Sequence, residues 1–402
     1  MFRKFLCALL SVLMLLSATP VGAAETISIA IFFGEPQWVN EWGPQINPCA
    51  LQAGVDIEVR PSAFPPQILL WTASGDAPDI ALIQPERIGS IAYQDVLEDL
   101  RPWVERSGLD MEAWLPTARE AMEYRGRWIG LPAYVVNYTY AYNTALMQQR
   151  GLVPPAVNEW VTWETVLANA RKATYDQDGD GVPEVIGFVN GATFEQFLPL
   201  VRQAGGDFFS DDLMVTLNTP AVHEAVEFVL RMNQEGIHSD NRTLFWTGAA
   251  ATERLGSWEV RRLLTNDISA GAAAGIQHAR KSDVAYVTMW TMLKDAKNKE
   301  AAWRFLTCLM TPESQNEVVK RGTIPMRRDV DVQLAAMPEL FQGFLNTLEF
   351  SGNYPYHPEA DHVRNEFNAR TAGMFTGEAA PASVLSELER TLNAHIRTQL
   401  GL

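Results

Sequence analysis

Along this chain the spacing of apolar positions changes repeatedly, and each change marks an element. Ile27, Ile29, Ile31 and Phe33 alternate, so 27–33 predicts a first strand that ends at Gly34 and Glu35. Residues 55–59 predict a second short strand, and a proline-bounded helix follows over 67–74 with Ile68, Leu69 and Trp71 on its apolar side. That helix stops at Ser74-Gly75, because glycine enters the left-handed conformation without strain, and Pro78 keeps it from resuming. Residues 80–83 are apolar without a break, as in a strand buried on both faces of a parallel sheet. Polar groups return at once as Gln84, Pro85, Glu86 and Arg87. In open α/β sheets ligands sit beyond the carboxyl ends of strands, so Glu86 is the first candidate contact, with Gln84 beside it.

Helical and extended patterns keep alternating up to Leu131-Pro132, the succession of a layered α/β domain. The β-branched and aromatic stretch 134–143 predicts one long strand. Thr162 then reads as an N-cap with Glu164 in the first turn, and helices are expected at about 194–204, 219–235 and 254–265. A small-residue patch at 270–275 interrupts this order, and 284–293 predicts another strand. Asn298 is expected to cap a helix over 299–309, and Thr311-Pro312-Glu313 to open the next. The remainder of the chain reads as mostly helical.

The N-terminus points to export. Arg3 and Lys4 precede an apolar run over 5–16, and Gly22, Ala23 and Ala24 follow. This is the layout of a signal peptide over 1–24, cleaved after Ala23 or Ala24. The apolar run is short for a membrane span, and Cys7 lies too early, without small residues before it, to be a lipid-attachment site. Two positive charges leave with this segment, taking the net charge from −16 to about −18. Such acidity argues against nucleic acid or an anionic membrane surface as partner. About 380 residues remain, enough for two domains, and a hydrophobic content of 47% supplies a sizeable core. Of the remaining cysteines, an oxidising compartment permits a Cys49–Cys308 bond. Cys308, however, sits among Phe305, Leu306 and Leu309 and reads as a small buried hydrophobe.

Several short segments follow one another in a telling order, and no internal repeat is visible. They are the SGDAPD turn with its strand, the stretch 124–132 (YRGRWIGLP) leading to Tyr142-Asn143, Thr162-Trp163-Glu164, and DQDGDG at 176–181 with Gly187-Phe188. Gly205-Gly206-Asp207, Gly256-Ser257-Trp258, KNKEAAW at 297–303 with Thr311-Pro312-Glu313, and Gly322-Thr323-Ile324-Pro325 complete the series. Together they resemble the extracellular solute-binding proteins (family 1) of ABC importers, the carbohydrate-type group that includes maltodextrin-binding protein. The resemblance covers the chain nearly end to end. It implies an α/β fold of the two-lobed periplasmic-binding-protein type II. The first lobe is expected at 25–135 plus 285–327 and the second at 138–280 plus 332–402. Crossing strands are expected at 134–142 and near 281–288 and 323–331. One departure is a shorter stretch between Trp258 and residue 284, with the 270–275 patch replacing a Pro/Gly-rich segment, which pares back a loop that often lines the cleft.

Sugar recognition needs flat apolar surfaces under C–H faces and carboxylates or amides for hydroxyls, and 12 tryptophans with 48 acidic residues suit that task. Trp258 and Glu86 resemble family positions that present an aromatic ring and an acid to the ligand. Tyr134, Asn137 and Tyr138 lie on the expected crossing strand, where alternate side chains face the cleft. Glu35 and Trp38 follow the first strand; Phe194, Glu195 and Phe197 open a helix; Trp290 could cover the ligand. For these, packing in the core or exposure at the surface are the competing roles. Asp176, Asp178, Asp180, Val182 and Glu184 imitate a calcium loop, but Gly187 stands where its bidentate Glu belongs, so a plain Asx-rich turn competes with a structural Ca2+. His357 and His362 lack a zinc spacing and read as solvated loop residues.

No nucleophile elbow, HExxH, phosphate loop or other catalytic signature occurs, so no catalytic residue and no cofactor is expected. The expected function is that of a periplasmic receptor, working as a monomer with ABC importer permease subunits. Two alternatives are a secreted carbohydrate-active enzyme pairing Glu86 with Glu35 or Glu195, and a receptor for a non-sugar polar solute. With only Arg87 basic beside the candidates, a neutral sugar or short oligosaccharide is the expected ligand.

Overall fold

The computed structural model describes residues 25–402, the side chain of Glu35 excepted. The expected signal peptide, its cleavage after Ala23 or Ala24, and Cys7 lie outside the described residues. Among the described residues, no helix is long and apolar enough to cross a membrane.

Two open sheets organise the chain. In the first, the order is Ser351–Asn353, Asp283–Met292, Ile80–Ile83, Glu25–Ile31 and Val55–Pro61, with Leu131–Val136 also paired to Asp283–Met292. In the second it is His238–Ser239, Ile186–Val189, Ala250–Gly256, Tyr138–Asn143 and Ala270–Ala272. Each sheet has its own apolar cluster. Ile27, Ile29, Leu82 and Phe305 are fully buried about the first, and Tyr140, Leu198 and Val226 about the second.

The first sheet is built as the apolar runs require. All four residues of Ile80–Ile83 are buried. This strand runs parallel to Glu25–Ile31 on one side and antiparallel to Asp283–Met292 on the other, a mixed pairing where a purely parallel one was expected. The preceding helix, Pro65–Ala73, ends at Ser74, and Gly75 takes φ +72°. Asp79 then holds three segments together: its carboxylate accepts from the Ser28 amide at 2.9 Å and from the Asn298 amide at 2.8 Å. Thr162 and Thr311 cap their helices by accepting from Thr165 N and Ser314 N. Asn298 holds its cap position through its backbone, while its side chain donates to Thr26 O at 2.9 Å.

Several expectations are corrected. The stretch 134–143 is two strands: the chain leaves the first sheet at Val136 and enters the second at Tyr138. Asn137, between the two strands, belongs to neither ladder, and its side-chain amide donates to Phe344 O at 2.9 Å. The helix expected at 254–265 is only Val260–Thr265, because Ala250–Gly256 is a fully buried strand. Glu253 and Arg254 concealed it, being charged residues buried against Arg242 and Asp283. The 270–275 patch contributes the edge strand Ala270–Ala272. Cys49 and Cys308 form a disulfide, with Cα atoms 5.4 Å apart across a sequence separation of 259. Their helices, Gly43–Ala53 and Lys299–Leu309, pack together, which the apolar surroundings of Cys308 did not reveal. His357 is buried, stacked on Phe209 at 4.4 Å and hydrogen-bonded to Leu213 O at 2.9 Å, and His362 stacks on His395.

Candidate functional site

Between the two sheets lies a cavity of about 580 Å³. Its floor comes from cross-strand register. Tyr286 pairs with Val136 and Thr288 with Tyr134, and paired residues face the same side; all four line the cavity. A register shift follows Thr288. Beyond it Trp290 is fully buried, edge-on to Trp42 at 5.7 Å, so it belongs to the core rather than to the ligand.

The strand end after Ile83 supplies Gln84, Pro85 and Glu86 to the wall. Gln84 is the N-cap of the Pro85–Tyr93 helix, and its side-chain oxygen accepts from Arg87. Glu86 is half-buried in the first helical turn. Burial pushes its carboxyl above the usual range, opposed by its own backbone amide and by Arg87. Across the cavity, the start of the Phe194–Gln203 helix presents Glu195 and Gln196. Arg364 stands 3.6 Å from Glu195, and Tyr286 donates its hydroxyl to Glu195 O at 2.6 Å. Phe194 and Phe197 turn the other way into a cluster with Phe208 and Phe367, so neither contacts the cavity.

Trp258 is the exposed aromatic of the site, with 42% of its surface accessible. The Ser257 amide donates to Asn137 O at 3.1 Å, which fixes the turn that carries the indole. Asn137 therefore positions Trp258 through its backbone, while its side chain is fully buried. Tyr138 meets the Trp258 ring edge-to-face at 5.2 Å. The Arg254 guanidinium lies 3.9 Å from the Tyr138 ring and pairs with Asp283 at 3.0 Å. Burial pushes Tyr138 up to about 12, so its hydroxyl stays protonated at physiological pH.

Arg242, absent from the expectations, also lines the cavity beside Asp240. Its Nε donates to Glu253 Oε1 at 2.9 Å, and its Nη2 pairs with Glu259. The guanidinium sits 5.4 Å from the Trp258 ring. Burial raises Glu253 to about 7, against the pull of Arg242. Arg242, the basic residue that lines the cavity, is thus already engaged by carboxylates, and Arg364 reaches it only through Glu195.

Of the sequence candidates, the structure brings together Gln84, Glu86, Tyr134, Tyr138, Glu195 and Trp258. Trp38 is buried in the core beside Phe33. Glu35 opens the short Glu35–Gln37 helix, and its side chain is not described. Tyr286 and Thr288 were missed although their strand was expected; alternation along it with Trp290 was the available signal. Arg242 and Asp240 lie in a loop before a one-turn helix, with no periodicity to mark them. The Asp-rich loop brings carboxylate oxygens of Asp176, Asp178 and Glu184 within 4.8 Å of one another. Asp180 stands outside that group and accepts from the Val182 amide at 2.8 Å.

A sequence model of the bacterial extracellular solute-binding proteins matches residues 45–342. The maltotriose-binding protein of Pyrococcus abyssi is 23% identical over 313 residues, 72% of this chain and 64% of that relative's length. In three dimensions, the sugar-binding protein MalE of Xanthomonas citri superposes with a TM-score of 0.80 at 20% identity, covering 93% of this chain and 98% of its own. The ABC substrate-binding protein Lmo0181 of Listeria monocytogenes, solved with cycloalternan, gives 0.79 at 20% identity, over 92% of this chain and 99% of its own. These likenesses establish the two-lobed periplasmic-binding-protein type II fold. With the family match spanning most of its length, the chain belongs to the bacterial extracellular solute-binding proteins.

Proposed function

We propose that this protein is the receptor of an ABC importer and holds a sugar or short oligosaccharide in the cavity between the two sheets. The observation behind this reading is the pairing of a half-exposed indole, Trp258, with Glu86, Glu195 and Asp240 around one cavity. The ring offers a face to sugar C–H groups, and the carboxylates accept from hydroxyls. The similar maltotriose-binding protein, and the similar structures solved with cycloalternan or with maltose bound, support it. In this reading the lobes are 25–135 plus 285–327 and 138–280 plus 332–402, with Ser351–Asn353 of the second reaching across to pair with Asp283–Ala285 at the edge of the first sheet. Closing them on the ligand creates the surface that permease subunits recognise. The protein is exported to a periplasm, loses residues 1–24, and acts as a monomer. A calcium ion on Asp176, Asp178 and Glu184 would brace the second lobe by replacing like-charge repulsion with coordination.

The test is a thermal-shift screen of residues 25–402 against sugars, sugar phosphates and amino acids, with calcium or with chelator. A ligand at a hundred times its dissociation constant adds about 2.7 kcal/mol of stability. A shift with one saccharide class, and recovery of that sugar intact, is the expected result. Silence across all saccharides contradicts the sugar reading, and consumption of the sugar contradicts the receptor reading. A melting temperature indifferent to chelator contradicts the calcium proposal.

A further inference from the structure

Past Trp258 the cleft continues into a second cavity of about 410 Å³, which shares Tyr134, Val136 and Trp258 with the first. The two ends carry opposite charge. At the first end three acids face one arginine, Arg242, whose guanidinium is already bonded to Glu253 and Glu259. At the second end Arg261, Arg262 and Arg321 face one acid, Glu41. This is the reverse of the balance in a chain of net charge −16.

Only part of that positive charge is met. Arg261 bonds Glu41 at 3.0 Å. Arg262 is 3.8 Å from Glu259, which is already held by Arg242, and lies 4.0 Å from the Trp246 ring. Among the described residues, Arg321 has no carboxylate partner. Its Nε donates to Thr323 Oγ1 at 3.2 Å and its Nη1 to Gln45 Oε1 at 3.1 Å, while Nη2 has no partner. The guanidinium rests 3.8 Å from the Trp42 ring. Burial lowers its pKa to about 10, so it remains charged at physiological pH. Glu41 and Glu317 act on this half-buried guanidinium only at longer range, and an anion entering the adjoining cavity supplies the direct counter-charge it lacks.

We propose that the Arg321 end of the cleft receives an anionic group, carboxylate or phosphate, carried by the saccharide. Uncharged sugar units then occupy the acidic end, with their hydroxyls donating to Glu86, Glu195 and Asp240. The opposed charges fix one orientation, and Trp258 supports the chain where the two cavities meet. The ligand class is therefore a saccharide acidic at one terminus, a refinement that rests on the saccharide-receptor reading.

The test is calorimetric titration of residues 25–402 with matched pairs. Maltotriose is set against maltotrionate, its reducing end oxidised to a carboxylate; galactobiose against the disaccharide with one of its two units oxidised to a uronate; glucose against glucose 1-phosphate. Inorganic phosphate is titrated alone. In at least one pair the anionic member should bind roughly tenfold tighter. That advantage should shrink as salt rises and should close in Arg321→Gln, with Arg321→Lys retaining part of it. The carboxylate and phosphate pairs distinguish the two kinds of anion. If neutral members bind as tightly as anionic ones, the inference is overturned and the receptor reading stands. If inorganic phosphate alone binds as tightly as any anionic sugar, the site holds an ion without recognising sugar, and the inference is again overturned. If no saccharide of either kind binds, both readings fall.

Discussion

Two residues, Glu86 and Trp258, bear most of the functional argument, and each has its own test. Burial holds the Glu86 carboxyl above its usual value of 4.5, so folding favours its protonated form. Its contribution to stability is complete below pH 4.5 and is lost as pH rises through the raised value. Ligand-free Glu86→Gln should therefore melt above the wild type at neutral pH, with the gap vanishing below about pH 4. Scanning calorimetry across pH checks this, and a gap independent of pH contradicts it. Binding should follow the opposite course, strengthening as Glu86 ionises to accept from hydroxyls. Trp258→Ala should weaken saccharide binding by roughly tenfold or more, because an aromatic anchor is lost. The place of Glu86 beside the cavity was legible in the sequence because polar groups that follow a buried strand gather at its carboxyl end. Arg321 was not, since nothing in its local sequence signals that Trp42 and Tyr134 stand beside it.

At the level of elements, close approach explains two further features. A Cβ on Gly256 would lie 2.4 Å from the Trp258 ring. Gly256→Ala should thus displace the indole and lower saccharide affinity while the fold persists, seen as a weaker titration at unchanged far-UV circular dichroism. The Cys49–Cys308 bond ties Gly43–Ala53 to Lys299–Leu309 across 259 residues. Its reduction, or Cys308→Ser, should cost about 2–5 kcal/mol, read as a lower melting temperature; equal melting of the two forms contradicts the pairing. The strands and helices with clean apolar periods were legible, Ile80–Ile83 and Lys299–Leu309 among them. Ala250–Gly256 was not, because buried ion pairs place charged residues where a buried strand is expected to be apolar.

For the whole molecule, the order of the family-like segments made the fold readable, yet the charge distribution of the cleft emerged only in three dimensions. Residues far apart in sequence, such as Glu41 and Arg261 at 3.0 Å, meet at its rim. A receptor that closes on its ligand should become more compact, so the radius of gyration from small-angle scattering should fall on saturation with saccharide; an unchanged value contradicts closure. The most direct measurement is calorimetric titration of wild-type and Trp258→Ala protein with the saccharide that shifts melting most. The account predicts one-to-one binding by the wild type, weakened by roughly tenfold or more in the variant, with the sugar chemically unchanged. Equal affinity in the two proteins would contradict a saccharide held against Trp258 in this cleft.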